Sequence, residues 1–247
     1  MSKTENKVAI ITGASRGIGA ACAAKLAENN YAVCVNYNSG QAEAEKLVAE
    51  IKKNNGSAIA VQADMSQESE ILKLFDTVDK ELGPVTALVN NAGTNGGISE
   101  VENITAECLE KVFATNVFAT FYACREAVKR MKTSQGGNIV NISSETARFG
   151  GNRLAHYAAS KGAINTFTIG FAREVAGYNI RVNAVSPGVI DTEAHAGSPP
   201  ERLTTLLNSI PMKRMGTTNE VANLILWLLS DAASYLSGSI IPITGSR

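Results

Sequence analysis

Tyr157 and Lys161 stand four residues apart in the stretch Tyr157-Ala158-Ala159-Ser160-Lys161. On a helix that spacing stacks two side chains on one face. An ammonium beside a phenol favours the phenolate, so Lys161 is expected to lower the tyrosine's pKa from its ordinary value near ~10. A phenol tuned in this way can exchange a proton with a carbonyl or alcohol oxygen. Surface tyrosines beside solvated lysines share the same spacing, so the pair gains meaning only from its surroundings.

A second chemical candidate lies near the start of the chain. Thr12-Gly13-Ala14-Ser15-Arg16-Gly17-Ile18-Gly19 follows a short β-branched run and precedes an alanine-rich one. Glycines at a strand-to-helix junction let the backbone approach a pyrophosphate, whose charge the helix N-terminus meets. The spacing is G-x-x-x-G-x-G rather than G-x-G-x-x-G. The same residues match G-x-S-x-G, the nucleophile elbow of α/β-hydrolases. That chemistry needs a downstream histidine, and the chain has only His156 and His195. The elbow is also expected late in its sheet, not on the first strand, so hydrolysis stands as a minor alternative. A dinucleotide site usually offers an acid to the ribose at the end of its second strand. Here that region reads Val35-Asn36-Tyr37-Asn38-Ser39, without a carboxylate, while Arg16 sits in the glycine turn. A cation with no opposing acid suits a 2′-phosphate, so NADP(H) is expected over NAD(H).

The elements that must position these residues follow from apolar period and turn chemistry. Strands are expected at 8–11, 31–35, 58–61, 87–89, 139–142, 180–185 and 240–243, with Pro242 marking the last as an edge. Helices are expected at 18–27, 42–53, 68–82, 105–132, 157–176 and 221–229, with Thr105 as the N-cap of the longest. Residues 189–215, with Pro199-Pro200 and Pro211, read as a looser substrate lid. Strand and helix alternate without a linker from 1 to 247. That pattern predicts one α/β domain, a doubly wound, seven-stranded parallel sheet with helices on both faces. Ligands of such sheets bind beyond the carboxyl ends of the strands. The glycine turn, Asn90-Asn91-Ala92-Gly93, Ser143-Ser144 and Pro187-Gly188 all fall there.

Composition narrows the classes. Lys+Arg and Asp+Glu both count 23, so no basic face is forced and nucleic acid or an anionic membrane is not the expected partner. No apolar run approaches the ~20 residues of a membrane span. The polar first residues lack a signal-peptide core, so a cytoplasmic protein is expected. Cys22, Cys34, Cys108 and Cys124 lie far apart without C-x-x-C spacing, so free thiols are expected and no metal site.

Taken together, the Thr12–Gly19 turn, Asn90-Asn91-Ala92-Gly93, Asn116, Ser144, the Tyr157/Lys161 pair and Pro187-Gly188 resemble the classical short-chain dehydrogenase/reductase family. The likeness covers essentially the whole chain and is strongest to the branch of 3-oxoacyl-carrier-protein reductases and glucose 1-dehydrogenases. It implies a Rossmann fold and hydride transfer between a nicotinamide and a carbonyl or secondary alcohol. It assigns Tyr157 as general acid/base and Lys161 as its partner and ribose contact. Ser144 becomes the hydrogen-bond donor to the substrate oxygen, and Asn116 sits at a helix kink that holds a proton-relay water. The resemblance further places Asp64, with Met65 beside it, at the adenine. Gly13, Ser15, Arg16, Gly17, Ile18 and Gly19 fall at the phosphates, Asn36, Tyr37 and Asn38 at the adenosine ribose, and Asn91, Ala92 and Gly93 beside it. Pro187, Gly188, Ile190 and Thr192 would seat the nicotinamide amide.

The same resemblance implies a homotetramer, and the small residues Ala159, Gly162, Ala163, Thr166 and Gly170 would allow close helix approach. The end, Ile243-Thr244-Gly245-Ser246-Arg247, departs from the acid–Gly–Gly close of this branch. Thr94, Asn95, Thr146 and His195 are expected along the substrate wall, and Arg148, Arg153 and Arg202 are candidates for a basic surface that an acyl carrier would use. Substrate identity stays open among an acyl-carrier substrate, a sugar and a small alcohol. A nucleotide-binding protein without turnover is a further alternative.

Overall fold

The structure, a computed structural model, describes residues 7–134, 136–193 and 200–246. Its strands are β1 (Lys7–Ile11), β2 (Tyr31–Tyr37), β3 (Ala58–Gln62), β4 (Ala87–Asn90), β5 (Gly137–Ile142), β6 (Ile180–Pro187) and β7 (Ile240–Ile243). They form one sheet in the order β3-β2-β1-β4-β5-β6-β7, and every pairing is parallel. This is a Rossmann-type α/β fold. Pro242 lies on β7, at the sheet's edge, where a missing N–H costs no ladder bond.

Strands buried on both faces explain the unbroken apolar runs in the sequence. Within β1, Ala9 and Ile11 enter one core and Val8 and Ile10 the other. The first core is closed by α1 (Gly17–Glu28), α2 (Gln41–Lys53) and α9 (Thr218–Leu229). The second is closed by α3 (Glu68–Glu81), α5 (Ala119–Met131) and α7 (Ala155–Val175). Arg130 of α5 pairs with Asp76 and Asp79 of α3 and with Glu126 on its own helix, which ties the two helices together.

Two departures bear on function. The stretch 105–132 is not one regular helix. It runs as α4 (Ala106–Phe113), a π turn (Ala114–Phe118) and then α5. Thr105 caps α4, its hydroxyl accepting the Cys108 N–H at 3.2 Å. The lid expected to be loose contains a regular helix, α8 (Pro200–Asn208). Pro200, within that looser stretch, opens the helix, where its missing N–H would have no partner anyway. A further short helix, α6 (Thr146–Phe149), stands between β5 and α7.

Candidate active site

The strand order reverses between β1 and β4, and the loops beyond their carboxyl ends face one another there. Gly13 and Gly17 have φ of +60° and +57°, a backbone region that favours glycine. A Cβ on Gly13 would lie 2.9 Å from Ala92 Cα, and one on Gly19 would lie 2.6 Å from Asn91 Nδ2. The turn after β1 is therefore pressed against the loop after β4. Thr12 Oγ1 accepts the N–H groups of Asn91 and Ala92, each at 2.9 Å. Asn91 Nδ2 in turn donates to the carbonyls of Thr12 and Gly13, both at 2.9 Å. Thr12 was not singled out by the sequence, although a buried hydroxyl at a strand end was its signal.

Several expected cofactor contacts also have partners within the protein. Asn36 is 1% exposed and its amide is engaged by the protein. Its Oδ1 accepts the Gly13 N–H at 3.1 Å, and its Nδ2 donates to the Ala63 carbonyl at 3.1 Å. It holds the glycine turn against the end of β3. Tyr37 and Met65 are buried, whereas Asn38 and Arg16 are exposed. Ser15 Oγ lies 2.7 Å from where a Gly40 Cβ would be, so the turn and the end of β2 share one corner. Asp64 Oδ1 accepts the Ser66 N–H at 2.9 Å. Thr192 lies against Gly17, its Cγ2 3.6 Å from the Cβ position of that glycine, so the segment after β6 closes on the glycine turn. Gly188 N–H donates to the Ile243 carbonyl at 2.9 Å.

Beside this cradle the four proton-transfer candidates converge. A Cβ at Gly93 would lie 3.2 Å from Asn116 Oδ1 and 3.5 Å from Lys161 Nζ. Asn116, on the π turn, is 1% exposed. Its Oδ1 accepts the Thr94 N–H at 2.8 Å, and its Nδ2 donates to the Thr94 carbonyl and to Ser160 Oγ, both at 2.9 Å. Ser160 Oγ donates to the Tyr157 carbonyl at 2.7 Å. Ser160 was missed by sequence reasoning. It lies between Tyr157 and Lys161 and links their helix to the kink.

Ser144 Oγ accepts two donors from Thr146, the N–H at 3.2 Å and the hydroxyl at 3.0 Å. Its own proton is thereby left to the Tyr157 phenol oxygen, to which it is hydrogen-bonded. Burial pushes the Tyr157 phenol above its ordinary value, and the Ser144 hydroxyl works against that rise. The expectation that Lys161 acidifies Tyr157 is corrected here. Lys161 Nζ donates to the Ile142 carbonyl at 2.7 Å and lies 5.9 Å from the tyrosine ring centre. Burial pulls the lysine itself down to about 8. Desolvation, not the pair's mutual attraction, dominates both groups.

On the substrate side, the Thr94 hydroxyl accepts the Gly96 N–H at 3.2 Å, and Asn95 Oδ1 accepts the Gly97 N–H at 2.9 Å. These two residues shape their loop. Thr146 reaches Ser144, and His195 lies outside the described residues. His156 is 4% exposed and packs beneath Gly96. Arg153 pairs with Glu100 at 3.1 Å, Arg148 stacks over Phe149, and the Arg202 side chain lies outside the described residues. A polar ladder under the site was also missed. Asn90 Nδ2 donates to Asn141 Oδ1, and Asn141 Nδ2 to Thr168 Oγ1, each at 2.9 Å. It ties β4, β5 and α7 together below the four candidates. A cavity of about 450 Å³, lined by Val189, Arg214, Glu220 and Thr244 among others, lies by the lid and is bordered by none of the four.

The glycine turn fits a dinucleotide. Its backbone can approach a pyrophosphate because side chains are sterically excluded at Gly13 and Gly19. Among the described residues no group of three metal-ligating side chains occurs, and no helix is long and apolar enough to cross a membrane.

Residues 13–245 match the family model described as enoyl-(acyl carrier protein) reductase. The chain is 46% identical to the uncharacterized oxidoreductase YgfF of Escherichia coli over 97% of its own length and 99% of the relative's. It is 37% identical to glucose 1-dehydrogenase 2 of Bacillus subtilis, covering 97% of this chain and 93% of that one. It is 34% identical to the 3-oxoacyl-[acyl-carrier-protein] reductase FabG of Staphylococcus epidermidis, covering 97% and 98%.

Proposed function

The chain belongs to the short-chain dehydrogenase/reductase family and is an oxidoreductase, and from that premise we propose an NADP(H)-dependent reductase of 3-oxoacyl thioesters. The supporting observation is the convergence of Ser144, Tyr157, Lys161 and Asn116 beside a glycine turn that excludes side chains. The nicotinamide, when bound, supplies or accepts the hydride. Gly13, Gly17 and Gly19 would hold its pyrophosphate, and Pro187, Gly188, Ile190 and Thr192 its amide.

The chain's own residues handle the proton and the charge. Ser144 donates toward the oxygen at which negative charge builds in reduction, a geometry that preorganised donors exploit. Tyr157 gives its proton to that oxygen, and its raised pKa keeps it protonated and ready as the acid. Lys161, held on the Ile142 carbonyl behind the ring, would return a proton toward Tyr157. Asn116, clamped by Thr94 and Ser160, fixes the kink and with it the lysine's surroundings.

A second reading, a sugar dehydrogenase, draws on two observations. Arg153 is neutralised by Glu100, which thins the basic surface an acyl carrier would use. A glucose 1-dehydrogenase is also among the relatives. Hydrolysis finds no support in the described residues: Ser15 packs against Gly40, and His156 lies beneath Gly96 on a different loop. The intact set of four argues against a silent nucleotide binder.

For assembly we favour a homotetramer, in the cytoplasm. Gly162 and Gly170 on α7 would each carry a Cβ into open space, so this face packs against nothing within the chain. Phe118 and Phe121 lie exposed on the neighbouring helix. All four cysteines are free, in keeping with a reducing compartment. NADPH absorbance with an acetoacetyl thioester and, in reverse, glucose with NADP⁺ tests the substrate. Turnover of glucose alone overturns the thioester reading, and sedimentation as a monomer overturns the assembly.

A further inference from the structure

Outside the proton-transfer set, one buried imidazole has no partner. His156 is 4% exposed, and neither ring nitrogen has a hydrogen bond. Buried polar groups in that state call for a physical reason. The ring is aimed at one point: a Cβ on Gly96 would lie 3.0 Å from its Nε2 and 3.1 Å from Cys108 Sγ. Imidazole and thiol therefore flank the same glycine, with no hydrogen bond between them. Cys108 differs from the other three cysteines. Those are fully buried, and burial pushes their thiols up, Cys22 to about 12. Cys108 is partly exposed, and its thiol donates only a long bond to the Gly96 carbonyl, at 3.4 Å. Gly96 and Gly97 both have positive φ, at +68° and +93°, a backbone region that favours glycine.

We propose that Cys108 is an oxidant-modified site, with His156 as its base and hydrogen peroxide or a small hydroperoxide as its co-substrate. His156 takes the thiol proton, and the sulfur attacks one peroxide oxygen. The O–O bond breaks, and the departing hydroxide recovers the proton from His156 and leaves as water. Sulfur is oxidised by two electrons to the sulfenic acid, and the peroxide is reduced to water.

The added oxygen has a route to the active site. Gly96 is packed so closely on Cys108, His156 and Val112 that a methyl group would not fit. An oxygen on Sγ pushes the same loop. Gly96 is bonded to Thr94, and Thr94 brackets the Asn116 amide on both sides. Oxidation thus loosens the clamp that sets Asn116.

The test treats the full-length protein with equimolar hydrogen peroxide, traps sulfenic acid with dimedone, and follows the intact mass. One adduct per chain, located at Cys108, is expected, with faster hydrogen exchange at the 94–97 amides. Cys108→Ser should form no adduct and retain the reductase activity of the untreated protein. His156→Gln and His156→Asn, each checked for folding by circular dichroism, should react about a hundredfold more slowly. Oxidation at methionine or another cysteine instead, wild-type rates in both histidine variants, or unchanged exchange at 94–97 after Cys108 is modified would each overturn the proposal. None of these readouts depends on the identity of the reductase substrate.

Discussion

Lys161 Nζ stands 5.9 Å from the centre of the Tyr157 ring, and its hydrogen bond goes to the Ile142 carbonyl rather than to the phenol oxygen. The phenol oxygen is hydrogen-bonded to Ser144 instead. The phenol thus has serine beside it and lysine behind, the arrangement the proposed acid role needs. Tyr157→Phe removes the transferable proton but not the ring that packs in the site. It should lower kcat by about two to four orders of magnitude while leaving the Kd for NADPH nearly unchanged. Stopped-flow turnover and fluorescence titration of NADPH measure both quantities. A variant with near wild-type kcat would remove Tyr157 from the reaction.

Lys161 also makes a statement about stability. Its pKa falls from 10.5 to about 8 on folding. Because the folded value lies below the unfolded one, the fold disfavours the proton. The penalty is complete below about pH 8 and is relieved as pH rises toward 10.5. A shift of that size is worth on the order of 3 kcal/mol. Lys161→Met removes the penalty but strands the Ile142 carbonyl, at a cost of about 1–2 kcal/mol. The variant should therefore be inactive yet more stable than wild type at pH 7 by about 1–2 kcal/mol. That advantage should disappear by about pH 10. Urea unfolding at the two pH values checks it, and a variant less stable at pH 7 than at pH 10, relative to wild type, contradicts it.

Asn116 carries a different load. Its amide satisfies both backbone groups of Thr94 and the Ser160 hydroxyl in a place with almost no solvent. Asn116→Ala leaves several buried polar groups unpaired, which should destabilise the protein by about 2–4 kcal/mol. Turnover should fall as well, since the loop carrying Thr94 loses its anchor. Thermal unfolding and kcat measured on the same preparation separate the two effects. If stability is unchanged, the amide is not what holds this loop.

These residues also show where sequence stops being informative. The strands were legible because short β-branched runs bounded by Gly, Asn or Pro leave few alternatives for a buried parallel sheet. Tyr157 and Lys161 could be paired from their spacing alone, whereas Ser144 was added by the family resemblance. The clamp around Asn116 was not legible, because it depends on a π turn that shifts the helix register and brings Thr94, 22 residues earlier, onto its side chain. Asn36 shows the same limit. Its place at the end of β2 suits a cofactor contact, but only the tertiary structure shows its amide turned toward Gly13. The direction of the Tyr157 shift was misjudged because spacing reports proximity and says nothing of desolvation. Pro200 was placed in a loose stretch, although proline is equally at home in a helix's first turn.

The proposed preference for NADPH can be tested at the corner where Ser15 meets Gly40. Asn36, Tyr37 and Asn38 at the end of β2 bring no carboxylate, and Arg16 is exposed beside the glycine turn. One acid does reach this corner: Glu43 Oε2 lies 3.4 Å from the Gly40 Cβ position. A 2′-phosphate placed there would be drawn by Arg16 and repelled by Glu43. Removing the cation should therefore weaken NADPH selectively, and removing the anion should strengthen it. Arg16→Ala should raise the Kd for NADPH by about 10–100-fold, the size of a hydrogen bond between charged groups, with little change for NADH. Glu43→Gln should lower it by only about two- to fivefold, since the carboxylate is exposed and screened. The NADPH effect of Arg16→Ala should shrink as salt is raised, because exposed charges interact within a Debye length of about 10 Å at 0.1 M. Titration of both cofactors by fluorescence at low and high salt decides the matter. Equal loss of NADH and NADPH in Arg16→Ala would place the arginine at the shared pyrophosphate and leave the preference without a cause at this corner.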